Sequence, residues 1–202
     1  MKRFVTKYIA YGLLGLLTFS ACSLDEENFT EIEKSKYVNN AKEAETVLLG
    51  VYRNLVDEGL YRYHLSLLFT LPSDIARCEG SSTNSFRQIP AHAFTSTQNE
   101  VRVTWEALYA AVYSANDFLE NISKKISSFN EHDQKLATIY MAEARSLRAL
   151  YYFELVRWFG HVTLTTSTST SREHPSTFEQ AAPEEVYKLI ESDLKYAIEH
   201  LP

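Results

Sequence analysis

Between residues 101 and 122 the apolar side chains Val101, Trp105, Leu108, Val112, Ala115, Leu119 and Ile122 recur at alternating spacings of four and three. That period fits the 3.6-residue turn of an α-helix and no strand, so the stretch predicts one long helix with a continuous apolar seam. A second seam, Leu136, Tyr140, Ala144, Leu147, Tyr151, Leu155 and Trp158, predicts a longer helix over 132–159, with Gly160 as its stop. Each seam needs an apolar partner. The two helices are expected to pack antiparallel through Trp105, Leu108, Val112, Leu147 and Tyr151.

Three further helices are readable. Asn40 offers an N-cap with Glu43 three residues on, and Ala41, Ala44, Leu48, Val51, Tyr52 and Leu55 carry a stripe to about residue 56. Residues 61–71 form an apolar run that Pro72 ends. Pro183 opens a last helix, with Glu184 and Glu185 at its positive end and a face of Val186, Ile190, Leu194, Ala197 and Leu201. Two segments read as loops: 73–98, long, polar and aperiodic, and 163–171, which is almost entirely Ser and Thr and reads as flexible. Only 6 Gly and 5 Pro stand against 13 Tyr and 11 Phe, which favours helices over a many-stranded sandwich. No strand pattern is evident. The expected fold is all-α, an antiparallel helical bundle of degenerate tetratricopeptide-like repeats with long loops, and residues 194–202 resemble the second helix of such a repeat. Asn116, beside the first seam, reads as a core amide tied to a neighbouring helix. Glu143, Arg145 and Arg148 read as a structural ion-pair knot.

The N-terminus reads as an address. Lys2, Arg3 and Lys7 precede an apolar run from Ile9 to Phe19, too short for the ~20 residues that a lasting membrane span needs. Ser20-Ala21-Cys22 then gives small residues before a thiol, the pattern of a lipoprotein cleavage site. The expectation is a signal peptide over 1–21, lipidation of Cys22, an acidic tether over 22–38 and a helical domain over 39–202. Acylation converts a soluble chain into an anchored one. Losing the cations of the signal leaves the mature chain more acidic than the −6 of the whole sequence, which excludes nucleic acid as a natural partner.

Catalytic signatures are not found. The sequence has no Gly-rich phosphate loop, no His-Glu-x-x-His and no Gly-x-Ser-x-Gly, and its six histidines are scattered. Cys22 and Cys78 form no metal-binding spacing. The reading is a protein without enzyme activity, cofactor or metal.

Five stretches in order resemble the SusD/RagB family of outer-membrane nutrient-binding lipoproteins. They are the lipoprotein signal with its acidic follower, Leu49-Gly50-Val51-Tyr52-Arg53-Asn54-Leu55, Trp105 to Tyr109 with Ala115 to Glu120, Ala142 to Gly160, and Glu185 to Leu194 running into Leu201-Pro202. Where members carry a Val-Pro-Leu-like step after the Phe-Gly, this chain has His161-Val162-Thr163-Leu164. Members are more than twice this long, so the chain resembles the N-terminal, SusD-like half alone. The resemblance implies a cell-surface lipoprotein of the outer membrane that captures oligosaccharides, or in some branches peptides, for a SusC-like TonB-dependent transporter. It implies ligand contacts from loops with aromatic and polar residues, and the 73–98 loop offers Asp74, Arg77, Asn84, Phe86 and Arg87. The competing readings are a helical-repeat scaffold lipoprotein without a ligand, a truncated fragment without function, and a small glycan hydrolase.

Overall fold

The computed structural model describes residues 38–79, 85–93, 95–168 and 179–202. The expected signal peptide, Cys22, nearly all of the expected tether and Asn84 lie outside the described residues. Five α-helices are present among those described: α1 (Ala41–Arg53), α2 (His64–Thr70), α3 (Asn99–Lys125), α4 (Glu131–Phe159) and α5 (Pro183–His200).

The helix ends follow from capping chemistry. At α1 the Asn40 side chain accepts from the Glu43 N–H at 2.9 Å. The Glu43 carboxylate returns to the Asn39 N–H at 2.8 Å, and that backbone hydrogen bond leads the causes holding the Glu43 carboxyl below its usual range. Asn130 repeats the device for α4, accepting from the Asp133 N–H at 3.0 Å. Gly160 ends α4 with φ of 70°, a left-handed conformation that glycine adopts without a Cβ penalty.

The long seams are realised. Leu108, Val112, Ala115, Leu119 and Ile122 of α3 are buried, as are Ala144, Leu147, Tyr151 and Leu155 of α4, in one cluster with α1 and α5 residues. Helices α3 and α4 run antiparallel. Tyr109, early in α3, bonds the Thr163 carbonyl just past α4, while Asn116 in mid-α3 meets Arg148. Trp105 closes the same end of the contact, its indole packed edge-on against Phe159 with ring centroids 4.8 Å apart. Tyr151, fully buried, donates its hydroxyl to the Val51 carbonyl at 2.8 Å and so ties α4 to the end of α1.

Close approach also fixes the turn after α1. A Cβ on Gly59 would stand 2.5 Å from the Ala107 Cβ and 2.9 Å from the Val103 carbonyl. The Thr104 hydroxyl bonds the Gly59 carbonyl at 3.1 Å. Only a residue without a side chain lets this turn lie against α3.

Several expectations are corrected. The 61–71 run is helical only over His64–Thr70, and residues 61–63 form the turn that leads in. The ion-pair knot recruits a different carboxylate. Arg148 donates to both oxygens of Asp193 at 2.8 Å each and to Asn116 Oδ1 at 2.8 Å. Glu143 instead accepts from the Tyr52 hydroxyl at 2.7 Å, because it projects toward α1 rather than α5. Asp193 is buried, and its neighbour Leu194, expected on the core face, is exposed. The core line of α5 is therefore Val186, Ile190, Asp193 and Ala197.

The Ser/Thr-rich segment is pinned rather than free as far as residue 168. Val162–Thr163 (β1) pairs antiparallel with Gln180–Ala181 (β2), a short ladder in a chain without a legible strand pattern. Thr165 donates its N–H to the Tyr152 hydroxyl at 2.8 Å and accepts from Asn116 at 3.0 Å. Thr168 donates its N–H and hydroxyl to the Glu120 carboxylate at 2.8 and 2.7 Å. Burial alone would raise the Glu120 carboxyl, but these donors outweigh it and hold it below its usual range.

Candidate functional site

The segment between α2 and α3 carries most of the residues singled out from sequence, and apolar anchors hold it. Leu71 and Ile89 join Leu68 of α2 in a second buried cluster, with Ala76, Cys78, Phe86, Val101 and Trp158 packed around it. The segment includes a short 3₁₀ turn, Ser85–Gln88. On this footing Asp74, Arg77 and Arg87 are exposed. Phe86 is half-buried. One part of its ring is spent on the cluster, and it meets Tyr63 edge-to-face at 6.1 Å between centroids. Asp74 and Arg77 thus flank Ala76 of this cluster and Arg87 follows Phe86 of it, while Asn84 lies outside the described residues.

Beside it lies a shelf that sequence reasoning missed. Arg157, near the end of α4, holds its guanidinium 4.5 Å above the ring of Phe69 and 5.1 Å from that of Phe153. Glu154, 3% exposed, accepts from Arg157 at 2.6 Å and from the Tyr61 hydroxyl at 2.8 Å. Burial, then the Glu154 carboxylate, pushes the Tyr61 phenol well above its ordinary range. Phe69 packs its ring at 5.2 Å against Trp158. Trp158 belongs to both the main core and the anchored cluster, so it joins the shelf to the segment.

The signal for the shelf was present in Phe153, Glu154, Arg157 and Trp158, at helical spacing within one stretch. Its partners Tyr61 and Phe69 come from a different helix and the turn before it, and that pairing is set by tertiary packing. Tyr61, Tyr63, Phe69 and Phe153 each keep more than a third of their surface exposed. Flat rings with partly free faces, beside a fixed guanidinium and a buried carboxylate, suit a ligand with C–H faces and hydroxyl groups. Among the described residues no group of three His, Cys, Asp or Glu side chains is arranged to hold a metal ion. No described helix is long and apolar enough to cross a membrane.

Comparison with known proteins bears on this arrangement. Residues 24–202 match the SusD-like family model described as starch-binding and associating with the outer membrane. A SusD-like protein of Formosa agariphila is 27% identical over 199 residues, which is 97% of this chain and 38% of that protein. Among solved structures, a SusD homologue of Bacteroides thetaiotaomicron is 56% identical with a TM-score of 0.80, covering 88% of this chain and 33% of the other. A laminarin-binding SusD-like protein is 30% identical with a TM-score of 0.67, covering 82% and 35% of the two chains. The chain therefore spans little more than a third of the length of the relatives it matches.

Proposed function

This chain belongs to the SusD-like family, and from that premise we propose that it is a lipid-anchored glycan-binding protein of the outer membrane. It captures oligosaccharides at the cell surface and passes them to a TonB-dependent transporter. Cys22 carries the anchor, and the acidic residues that follow it form the tether. The protein binds and does not catalyse.

The observation that carries the reading is the joined surface of segment and shelf. Asp74, Arg77 and Arg87 supply hydroxyl-directed polar groups on a backbone rooted by Leu71 and Ile89. Tyr63, Phe69 and Phe153 supply exposed aromatic area, with Tyr63 meeting Phe86 of the segment and Phe69 meeting Trp158 of the same cluster. An aromatic face packs against the C–H side of a sugar ring, and charge-assisted hydrogen bonds fix its orientation. Exposed rings and charges of this kind can grip an extended glycan without enclosing it, as capture followed by hand-over requires. The likeness to a laminarin-binding relative supports a glucan as the ligand class.

The test is direct binding. Purified protein carrying Cys22→Ser is run by affinity electrophoresis through gels containing soluble starch or laminarin, and titrated calorimetrically with oligosaccharides of both. Retardation and a saturable heat with at least one glucan are expected. Mobility equal to that of an albumin control in every gel, with no heat, overturns the glycan reading. Lipidation is read separately: membrane-extracted protein should begin at an acylated Cys22, and an unmodified N-terminus downstream of it refutes the anchor.

A further inference from the structure

Arg157 is held from several directions at once. Its Nη2 donates to the buried Glu154 at 2.6 Å, and the rings of Phe69 and Phe153 stand 4.5 and 5.1 Å from the same guanidinium. Glu154 is itself fixed, because its other oxygen accepts from the Tyr61 hydroxyl at 2.8 Å. The Arg157 side chain is nevertheless 42% exposed, and its Nε and Nη1 have no acceptor among the described residues. A planar fork is thus pinned on one side, with donors left over on the other. Arginine is also the rule in this part of the chain. The sequence holds ten Lys and ten Arg, yet no lysine stands between Lys42 and Lys124. The cations of the turn before α2 and of the segment after it are Arg62, Arg77 and Arg87, all exposed.

We infer that the shelf reads an oxyanion on the glycan, a uronic-acid carboxylate or a sulfate ester, which Arg157 takes on Nε and Nη1 while Glu154 and Tyr61 act as positioning residues. This inference rests on the glycan reading and narrows it to saccharides that carry acidic substituents. A lysine would supply a mobile point charge, whereas a guanidinium offers paired donors that match the oxygens of a carboxylate or sulfate. A neutral hydroxyl accepts from the same donors, but only an anion makes the bond charge-assisted from both partners. Glu154 does not bar the anion, since it is buried and both of its oxygens are already engaged. The net charge of −6 makes the whole chain repel polyanions, so a preference for acidic saccharides has to come from fixed local groups such as this one.

The test holds the sugar backbone constant and changes only its charge. Laminarin and starch oligosaccharides are titrated calorimetrically into the Cys22→Ser chain as the neutral chain, as the form oxidised at the primary hydroxyl to the carboxylate, and as the sulfate ester. At least one acidic form should bind about tenfold more tightly than its neutral parent, and added salt should shrink that ratio. A preference for the carboxylate identifies a uronic acid as the source of the oxyanion, and a preference for the sulfate identifies an ester. Arg157→Lys keeps a cation beside Glu154 but removes the planar fork, so it should lower the ratio of acidic to neutral affinity about fivefold or more. The neutral pair Glu154→Gln, Arg157→Gln gives the same reading should Arg157→Lys misfold. A ratio near one in the parent, or a ratio that neither variant moves, overturns the inference while the glycan reading stands. No binding of any form, neutral included, defeats both.

Discussion

Arg148 of α4 and Asp193 of α5 meet through two parallel hydrogen bonds of 2.8 Å, and Asn116 of α3 accepts the remaining donor on Nη1 at the same distance. All three side chains are buried, so one guanidinium joins three helices across the core. Such a pair is costly to break and cheap to replace, because the penalty comes from leaving one charge alone. Asp193→Ala should lower stability by ~3–5 kcal/mol in urea denaturation. The double variant Arg148→Met, Asp193→Leu should recover most of that loss. A single variant as stable as the parent would remove the pair from the core.

The apolar contact between α3 and α4 yields a second contrast. Leu147 is 6% exposed, and Leu147→Ala should cost ~2–5 kcal/mol through lost transfer energy and a residual cavity. Leu194 is exposed on α5, and Leu194→Ala should stay within ~0.5 kcal/mol in the 202-residue chain. Similar denaturation midpoints for the two variants would contradict the packing.

This pair also marks what was legible in the sequence. The seams of α3 and α4 were readable because each repeats its period over many turns. Leu194 was misplaced because apolar Tyr187, Leu194 and Ile198 stand beside the buried line of α5, and periodicity alone does not say which side the bundle covers. A buried Asp193 within the covered line runs against residue-type preference and becomes intelligible only with Arg148 opposite. Likewise the Thr165 and Thr168 anchors depend on Tyr152, Asn116 and Glu120, which local Ser/Thr composition does not reveal. Of the candidate site, the polar residues of the 73–98 segment were visible as a cluster in sequence. The shelf was not, since Glu154 finds Tyr61 from a different part of the chain.

Gly59 offers a steric test. Gly59→Ala places a Cβ against Ala107 and should cost ~1–3 kcal/mol by overpacking. Ala107→Gly opens the facing space at ~1 kcal/mol for a helical glycine. The double variant should be less destabilised than the two losses combined, because the second change relieves the first. Strict additivity in thermal or urea unfolding would show that the Val103 carbonyl, and not the Ala107 methyl, limits the approach.

Alkaline pH should weaken the fold in a defined window. Burial, then the hydrogen bond to Glu143, raises the Tyr52 phenol from 10.0 to about 12. Burial is also the leading cause for Tyr152, pushed up to about 12, and for Tyr61 and Tyr151, pushed up further. Near pH 10 the unfolded chain releases these protons while the folded chain keeps them. Stability is therefore intact below pH 10 and falls as the pH rises toward 12. Absorbance titration at about 295 nm should show a late-ionising set of tyrosines, and Tyr52→Phe should shrink it. Ionisation of every tyrosine near pH 10 with the fold intact would place these hydroxyls in water.

The last prediction separates the anchored segment from the shelf as sources of affinity. Asp74 and Arg87 are exposed on a segment whose anchors are apolar, so replacing both with alanine leaves Leu71 and Ile89 in place to hold it. If they bond sugar hydroxyls, the double variant should weaken glucan binding about tenfold or more, since ~1.4 kcal/mol corresponds to a factor of ten. Phe153→Ala removes aromatic area from the shelf and a ring from beneath Arg157 while leaving the Glu154–Arg157 pair in place. It should lower affinity without altering which glucan is preferred, because a ring face reads C–H surface and not the pattern of hydroxyls. The two effects should be close to additive if segment and shelf contact different sugar units. Calorimetric titration of the double variant, of Phe153→Ala and of the two combined against the same oligosaccharide decides it. Affinity within about twofold for Asp74→Ala, Arg87→Ala, which is ~0.4 kcal/mol, would reduce the segment to scaffold and leave the shelf as the platform.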